Sequence, residues 1–464
     1  MARVLLLSTP IFGHVQPMIT IGRALAARGH RVCLLTGGKY EAAARSAGLH
    51  VHPLPASVDY DDARLHDWLP ARGLSSRIAA GRQDILELFV RPLVEQYRAV
   101  GDVLSAEPAD LVIGEAGFYG VLPLLLAERS SRPPVLGVST TPLSVTSVDC
   151  APFGSGLAPG RTAFSRLRNR QIDYLLRHGP LRAIRTQLDA SLAAVGAPPC
   201  PVSFFDVVTL FDQTFHLSAA ELEYPRRELT DRIRFVGPLP PTLDPPPARP
   251  VWWPELAGPR PVVHVTQGTL DNHDLGKLIV PTVRGLAGEP LLVVVTTGGR
   301  PVADLSRAYG GPLPANVRVA EFLPYPDLLP LAAAVVTNGG YGGVQQALAN
   351  GCPLVVAGGS EDKPEVATRV AWAGAGVNLR TGRPSPRRVR AAVRAVLVRS
   401  RYRVAAGGLR RRMALLPDPV ATVVDEVERR VGPPARRRGL VLPVDSTARR
   451  CPTGSEEPSS ASGR

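Results

Sequence analysis

The stretch Val4-Leu5-Leu6-Leu7-Ser8-Thr9-Pro10-Ile11-Phe12-Gly13-His14-Val15-Gln16-Pro17 decides the fold class of this 464-residue chain. Residues 4–7 form an aliphatic run of the kind that fills a strand buried on both faces. Pro17 suits the opening of a helix, where its missing N–H is no loss, and Met18, Ile21 and Leu25 follow at helical spacing. Gly29 marks the stop, and residues 31–36 carry a second aliphatic run. Strand, helix and strand in this order make a βαβ unit, which implies a parallel sheet covered by helices. His14 then falls in the loop at the carboxyl end of the first strand, where open α/β sheets place their ligands.

Working outward, further strands are expected at 111–113 and 135–138, with helical or loop-like stretches at 60–100 and 145–195. These stretches and the residues between them carry scattered aromatics, among them Tyr60, Trp68, Phe89, Phe118, Phe153 and Phe164, which suit either an apolar pocket or a core. Prolines 238, 240, 241 and 245–247 break the pattern, so 237–260 reads as a semi-rigid linker. A second series of strands is expected at 262–266, 291–296, 317–320, 334–337 and 353–357. The expected organisation is two α/β domains, 1–236 and 261–431, followed by a basic tail, 432–464, whose Pro, Arg, Gly and Ser content predicts disorder.

Composition narrows the function classes. Hydrophobic residues make up 45% and charged residues 20%, ordinary values for a globular chain. The longest apolar run, 328–336, is too short to span a membrane. The first residues lead straight into the Gly/His/Pro turn and read as a strand, not a secretory signal. Five scattered cysteines without C-x-x-C spacing suit a reducing cytoplasm and no zinc site. The net charge of +14 suggests nucleic acid until it is located. Residues 380–464 hold 20 Arg against 7 acids, whereas residues 1–379 carry 34 basic and 33 acidic side chains. The basicity therefore belongs to the C-terminal region and not to a groove for nucleic acid. A solvated face is its plainest reading, and contact with an anionic membrane surface is the other.

The chain has no G-x-x-x-x-G-K-[ST] phosphate loop, no H-E-x-x-H and no G-x-S-x-G. A single Gly13 follows the first strand, so the dinucleotide fingerprint is missing as well. An imidazole at position 14 can serve as a general base near neutral pH, or it can merely cap the turn. Thr337-Asn338-Gly339-Gly340-Tyr341-Gly342-Gly343 places four glycines between a strand and a helix, where backbone N–H groups and the helix dipole favour an anion. A flexible turn is the alternative. Ser360-Glu361-Asp362-Lys363, after the next strand, offers acids to sugar hydroxyls or to the helix dipole. Thr266-Gln267-Gly268-Thr269 adds a hydroxyl and a glycine. Three such loops on one domain converge on a nucleotide sugar.

On Gly13-His14-Val15-x-Pro17 and the run from Phe322 to Lys363, the chain resembles the GT-B-type glycosyltransferases of the natural-product class. These include macrolide glycosyltransferases and the plant and animal glucosyl- and glucuronosyltransferases. The resemblance spans about residues 1–430 and implies two Rossmann-like domains facing across a cleft, with the acceptor bound mainly by the first and the nucleotide sugar by the second. It implies metal-independent inverting transfer, with His14 as base and Glu115, at the end of Asp110-Leu111-Val112-Ile113-Gly114-Glu115, in place of the usual orienting Asp. It further implies stacking of the nucleobase on Phe322 beside Leu323, phosphate contacts from Gly268, Thr269, Asn338, Gly340, Gly342 and Gly343, ribose contact from Gln346, and sugar contact from Asp362 and Lys363. Asn338 stands where relatives carry His, Gln346 where they carry Glu, and Lys363 where they carry Gln. A neutral Gln346 tilts the expectation toward a deoxythymidine-linked donor over a UDP-linked one. No cofactor or metal is expected beyond the donor itself; the partners are that donor and a small, apolar acceptor carrying a hydroxyl. An epimerase on the same scaffold and a non-catalytic nucleotide-sugar binder are the rival readings.

Overall fold

The computed structural model describes residues 1–69, 77–160, 162–240, 246–269 and 272–432. The expected tail from 433 and residues 241–245 of the expected linker lie outside the described residues. Two parallel sheets carry the fold. The first contains β1 (Arg3–Leu7), β2 (Arg31–Thr36), β3 (His50–Pro53), β4 (Leu111–Glu115), β5 (Val135–Ser139), β6 (Gln213–His216) and β7 (Ile233–Phe235). Their order is β3-β2-β1-β4-β5-β6-β7. The second contains β8 (Val262–Thr266), β9 (Leu292–Thr296), β10 (Val317–Ala320), β11 (Ala332–Thr337), β12 (Leu354–Val356) and β13 (Gly376–Asn378), in the order β10-β9-β8-β11-β12-β13.

The aliphatic runs behave as strands covered on both faces. Leu5 and Leu7 enter one hydrophobic cluster of the first domain, while Val4 and Leu6 enter the cluster on the opposite face. The two-sided apolar character that identified β1 thus follows from helices packing above and below it. The strands that sequence reading passed over, β3, β6, β7 and β13, are three or four residues long and rich in His, Gln, Arg or Asn. Three of them lie at sheet edges, where one neighbour is enough and aliphatic content can fall.

One boundary differs from expectation in a way that matters. The first helix runs Phe12–Ala27, so Pro17 lies inside it and His14 is in its first turn, not in a loop ahead of it. The early start has a tertiary cause: the carboxylate of Asp62 accepts the Phe12 N–H at 2.7 Å, satisfying a backbone donor at the helix start. Pro17, lacking an N–H, cannot bond the Gly13 carbonyl, which the first turn tolerates. Gly29 ends the helix region in the left-handed conformation, φ +81°.

The last described helix, Pro419–Val431, follows the second sheet in the chain but packs on the first. Its Val423, Val424 and Val427 are buried in the same cluster as Val4, Leu6 and Ile21. Each buried valine contributes roughly 1.5 kcal/mol or more. This helix therefore fastens the carboxy-terminal end of the chain to the amino-terminal domain.

Candidate active site

Each sheet changes winding direction once beside its first strand, between β1 and β4 in the first and between β8 and β11 in the second. Loops diverge at such a point and leave a crevice at the carboxyl ends of the strands. His14 and Glu115 fall at the first crevice and Gly268, Asn338 and Gly340 at the second, while Phe322 follows β10 and Asp362 follows β12 in the same sheet.

In the first, β1 pairs with β4 so that Leu7 lies against Gly114. The chain beyond Leu7 enters the helix bearing His14, and the residue beyond Gly114 is Glu115. The result is a close pair: His14 Nδ1 lies 2.8 Å from Glu115 Oε1. The extra methylene of Glu, relative to an Asp, is accommodated without loss of contact. The carboxylate approaches off the line of the ring N–H, since no aligned hydrogen bond forms at Nδ1. Glu115 is 1% exposed and His14 13%. Thr140 Oγ1 donates to the same Oε1 at 3.3 Å, steadying the carboxylate. With Nδ1 facing Glu115, Nε2 is the nitrogen available to take a proton. The ring of Phe89 stands 6.3 Å away, centroid to centroid, as an apolar wall. Of the other aromatics, Phe118 and Tyr60 belong to the core, whereas Phe164 is exposed.

Burial acts to lower the His14 pKa, but Glu115, by charge and contact, outweighs it, and Asp362 and Asp62 add to the rise; the net position is above the ordinary 6.5. Asp362 comes from the other domain. The effect is mutual: burial raises the Asp362 carboxyl, while Lys363 and His14 act to lower it. The imidazole and this acid of the other domain are thus near enough for their charges to interact.

In the second crevice, the loops after β8 and β11 are tied together. Asn338 donates its amide N–H to the Gln267 carbonyl, and its Oδ1 accepts the Gly340 N–H at 3.3 Å. This residue therefore sets the shape of the turn. Gly339 has φ +96°, and a Cβ there would come 2.9 Å from Val356 Cγ1, so only glycine fits. Gly340 precedes the helix Tyr341–Ala349, and a Cβ at Gly342 or Gly343 would meet nothing within 4 Å. The helix start thus opens onto free space. Gln346 lies half-buried one turn further along the same helix, and Gly268 and Thr269 flank the turn from the β8 side. Phe322 is 39% exposed for so large a ring and rests against Gly299, where a Cβ would come 3.0 Å from Phe322 Cζ; Leu323 beside it is buried. Lys363 is buried and ion-paired with Glu361. Of the expected sugar-binding pair, Asp362 is the member in electrostatic contact with His14. Among the described residues no group of three or more His, Cys, Asp or Glu is placed to hold a metal ion.

Sequence reasoning missed Asp62, Thr140 and the buried polar network of Glu223, Tyr341, Glu365 and Arg369. Each makes at least one contact with a residue 25 or more positions away, for which a single sequence carries no signal.

Comparison with known proteins matches residues 12–136 to the glycosyltransferase family 28 N-terminal domain and residues 294–429 to the C-terminal domain of erythromycin biosynthesis protein CIII-like proteins. Over 432 residues, 92% of this chain and 99% of the relative, the chain is 39% identical to 4'-demethylrebeccamycin synthase of Lentzea aerocolonigenes. The chain is a natural-product glycosyltransferase of the GT-B class. This glycosyltransferase is also 33% identical to UDP-glucosyltransferase 1 of Beauveria bassiana, over 86% of its own length and 89% of the relative's. Its fold matches that of CalG4, the calicheamicin glycosyltransferase, with a TM-score of 0.68 over 93% of this chain and 98% of that one, at 24% identity. The two facing Rossmann-like domains are those of the GT-B architecture. No helix of the glycosyltransferase, among the described residues, is long and apolar enough to cross a membrane.

Proposed function

We propose that the enzyme transfers a sugar from a UDP- or dTDP-linked donor to a hydroxyl of a small, largely apolar natural-product acceptor, in one inverting, metal-independent displacement. The observation that carries this reading is the His14–Glu115 pair of one domain in electrostatic contact with Asp362 of the other. His14 Nε2 takes the proton of the acceptor hydroxyl as its oxygen attacks the anomeric carbon from the face opposite the leaving diphosphate. Glu115 steadies the imidazolium that forms. Charge developing on the leaving phosphate meets the start of the Tyr341–Ala349 helix, the backbone N–H groups around Gly340, Gly342 and Gly343, and the hydroxyl of Thr269. Phe322 stacks the base, Gln346 reaches the ribose and Asp362 accepts from sugar hydroxyls. Phe89, next to His14, belongs to the acceptor wall.

Relatives support both donor bases. Several fungal ones are named UDP-glucosyltransferases, and among structures of similar fold VinC and the spinosyn rhamnosyltransferase SpnG are described in complex with thymidine diphosphates. Transfer in the cytoplasm, without nucleic acid, completes the reading, and contact with a membrane surface through the Arg-rich C-terminal region is compatible with it. His14→Ala should lower transfer by about 100-fold or more while leaving UDP or dTDP binding intact. Near-normal transfer by that variant rejects the base assignment, and a product with retained anomeric configuration rejects the single displacement. Turnover of donor without any acceptor would point to the epimerase reading instead.

A further inference from the structure

Following β5, the amino-terminal domain sends out a segment, 143–157, that lies against the helix Lys363–Trp372 of the other domain. Two features of this contact are unusual. First, Glu365 Oε1 accepts two backbone N–H groups of that segment, from Gly154 at 3.0 Å and Gly156 at 2.7 Å. Both glycines are left-handed, φ +89° and +63°, and a Cβ at Gly156 would meet only ordinary contacts. Their role is thus to turn two N–H groups onto one point, an anion cradle whose anion is supplied by the opposite domain. Second, the same helix supplies the rest of the contact. Glu365 Oε2 accepts from Arg369 Nη1 at 2.9 Å, Thr368 Oγ1 donates to the Gly156 carbonyl at 3.0 Å, and Arg369 Nη2 donates to the Leu143 carbonyl at 3.0 Å.

The network does not stop there. Arg369 Nε donates to Glu223 Oε2 at 2.9 Å, and Glu223 Oε1 accepts from the Leu143 N–H at 3.2 Å and from the Tyr341 hydroxyl at 2.7 Å. The guanidinium also covers the Tyr224 ring at 4.3 Å. Glu223, Glu365 and Arg369 are all buried. Buried ion pairs of this kind add little net stability over well-packed apolar side chains, but they permit only one register between the surfaces they join. Here the joined parts are segment 143–157 and the two helices beginning at Tyr341 and Lys363; Gly340, Gly342 and Gly343 at the start of the first and Asp362 just ahead of the second belong to the donor site as read above, and Glu365 does not.

We propose that Glu365 is a positioning residue that couples the donor site to the amino-terminal domain, holding segment 143–157 so that a nucleotide bound by the carboxy-terminal domain orders that segment. The coupling rests on the donor-site reading given above, but the cradle itself does not. Glu365→Gln keeps an oxygen for the cradle and removes the charge that Arg369 pairs with; Gly156→Ala keeps the charge and strains the cradle. Hydrogen exchange by mass spectrometry on the full chain, with and without saturating UDP or dTDP, tests both. In the wild type either nucleotide should slow exchange in peptides 339–347 and also in 143–157. In each variant 143–157 should exchange about tenfold faster without nucleotide, the effect of losing a charge-assisted hydrogen bond. Nucleotide should then no longer slow it, although 339–347 remains protected and nucleotide affinity stays within about threefold. A purely structural contact would change the first quantity and leave the response to nucleotide in place. Wild-type exchange of 143–157 in both variants, or an unaltered response to nucleotide, overturns the proposal. Failure of UDP and dTDP alike to protect 339–347 in the wild type overturns the donor-site reading and the coupling with it, while the exchange without nucleotide still decides whether the cradle holds the segment.

Discussion

Glu115→Gln removes one charge and almost no volume, at a buried carboxylate whose Oε1 sits 2.8 Å from His14 Nδ1. Two unit charges centred about 4 Å apart, at an effective dielectric near 20, attract by about 4 kcal/mol. His14 retains some contact with solvent, so the loss should be smaller than this. The sign follows from the direction of the present shift. Burial alone would lower the His14 pKa, and it is Glu115, aided by Asp362 and Asp62, that lifts it above its ordinary value. Without the carboxylate it should fall. The base works when neutral, so the acid limb of kcat/KM follows this pKa and should move to lower pH in the variant. Turnover on the plateau should fall by about 100-fold, because the imidazolium formed during proton transfer loses the same stabilisation. Release of nucleoside diphosphate, followed from about pH 5 to about pH 9, measures both effects. Proton NMR of the His14 ring gives the pKa without any acceptor. A variant whose limb and ring titration coincide with the wild type, and whose plateau is within about threefold, would refute the dyad. Glu115→Asp should fall between the two, with the charge restored and the reach shortened.

Other expectations follow from single contacts. Phe322→Ala removes the stacking platform and should weaken UDP or dTDP binding by about 10- to 100-fold in calorimetry; unchanged affinity would place the base elsewhere. Activity should survive exhaustive EDTA treatment, and a loss reversed only by a divalent cation would end the metal-independent reading. His264, buried with Nδ1 3.1 Å from the Val294 carbonyl, has its pKa pushed down to about 4. As pH falls from 6.5 the unfolded chain takes a proton that the folded one refuses, so the folded state loses up to about 3 kcal/mol by pH 4. His264→Gln should therefore show a shallower decline of thermal midpoint over that range, and an identical slope would exclude this histidine as a cause.

Read as sequence alone, the chain already specifies its class. Aliphatic runs between glycine and proline breaks define strands covered on both faces, and their alternation with helical spacing leaves a parallel α/β fold as the outcome. That information is local, because burial on two faces demands apolar residues at consecutive positions whatever lies beyond. The glycine turn at 339–343 was legible for the same reason: at Gly339 its backbone conformation excludes most other side chains. What neighbours alone do not determine was decided by tertiary structure. The helix began at Phe12 and not at Pro17 because Asp62 capped it from fifty residues away. Glu115 reached His14 because β4 lies beside β1 in a register that brings their ends together. Segment 143–157 met the Lys363–Trp372 helix because Glu365 fills a backbone cradle on the opposite domain. Propensity and periodicity act over a few residues, whereas a site assembled at two sheet crevices depends on strand order and on charges brought together only when the chain is folded.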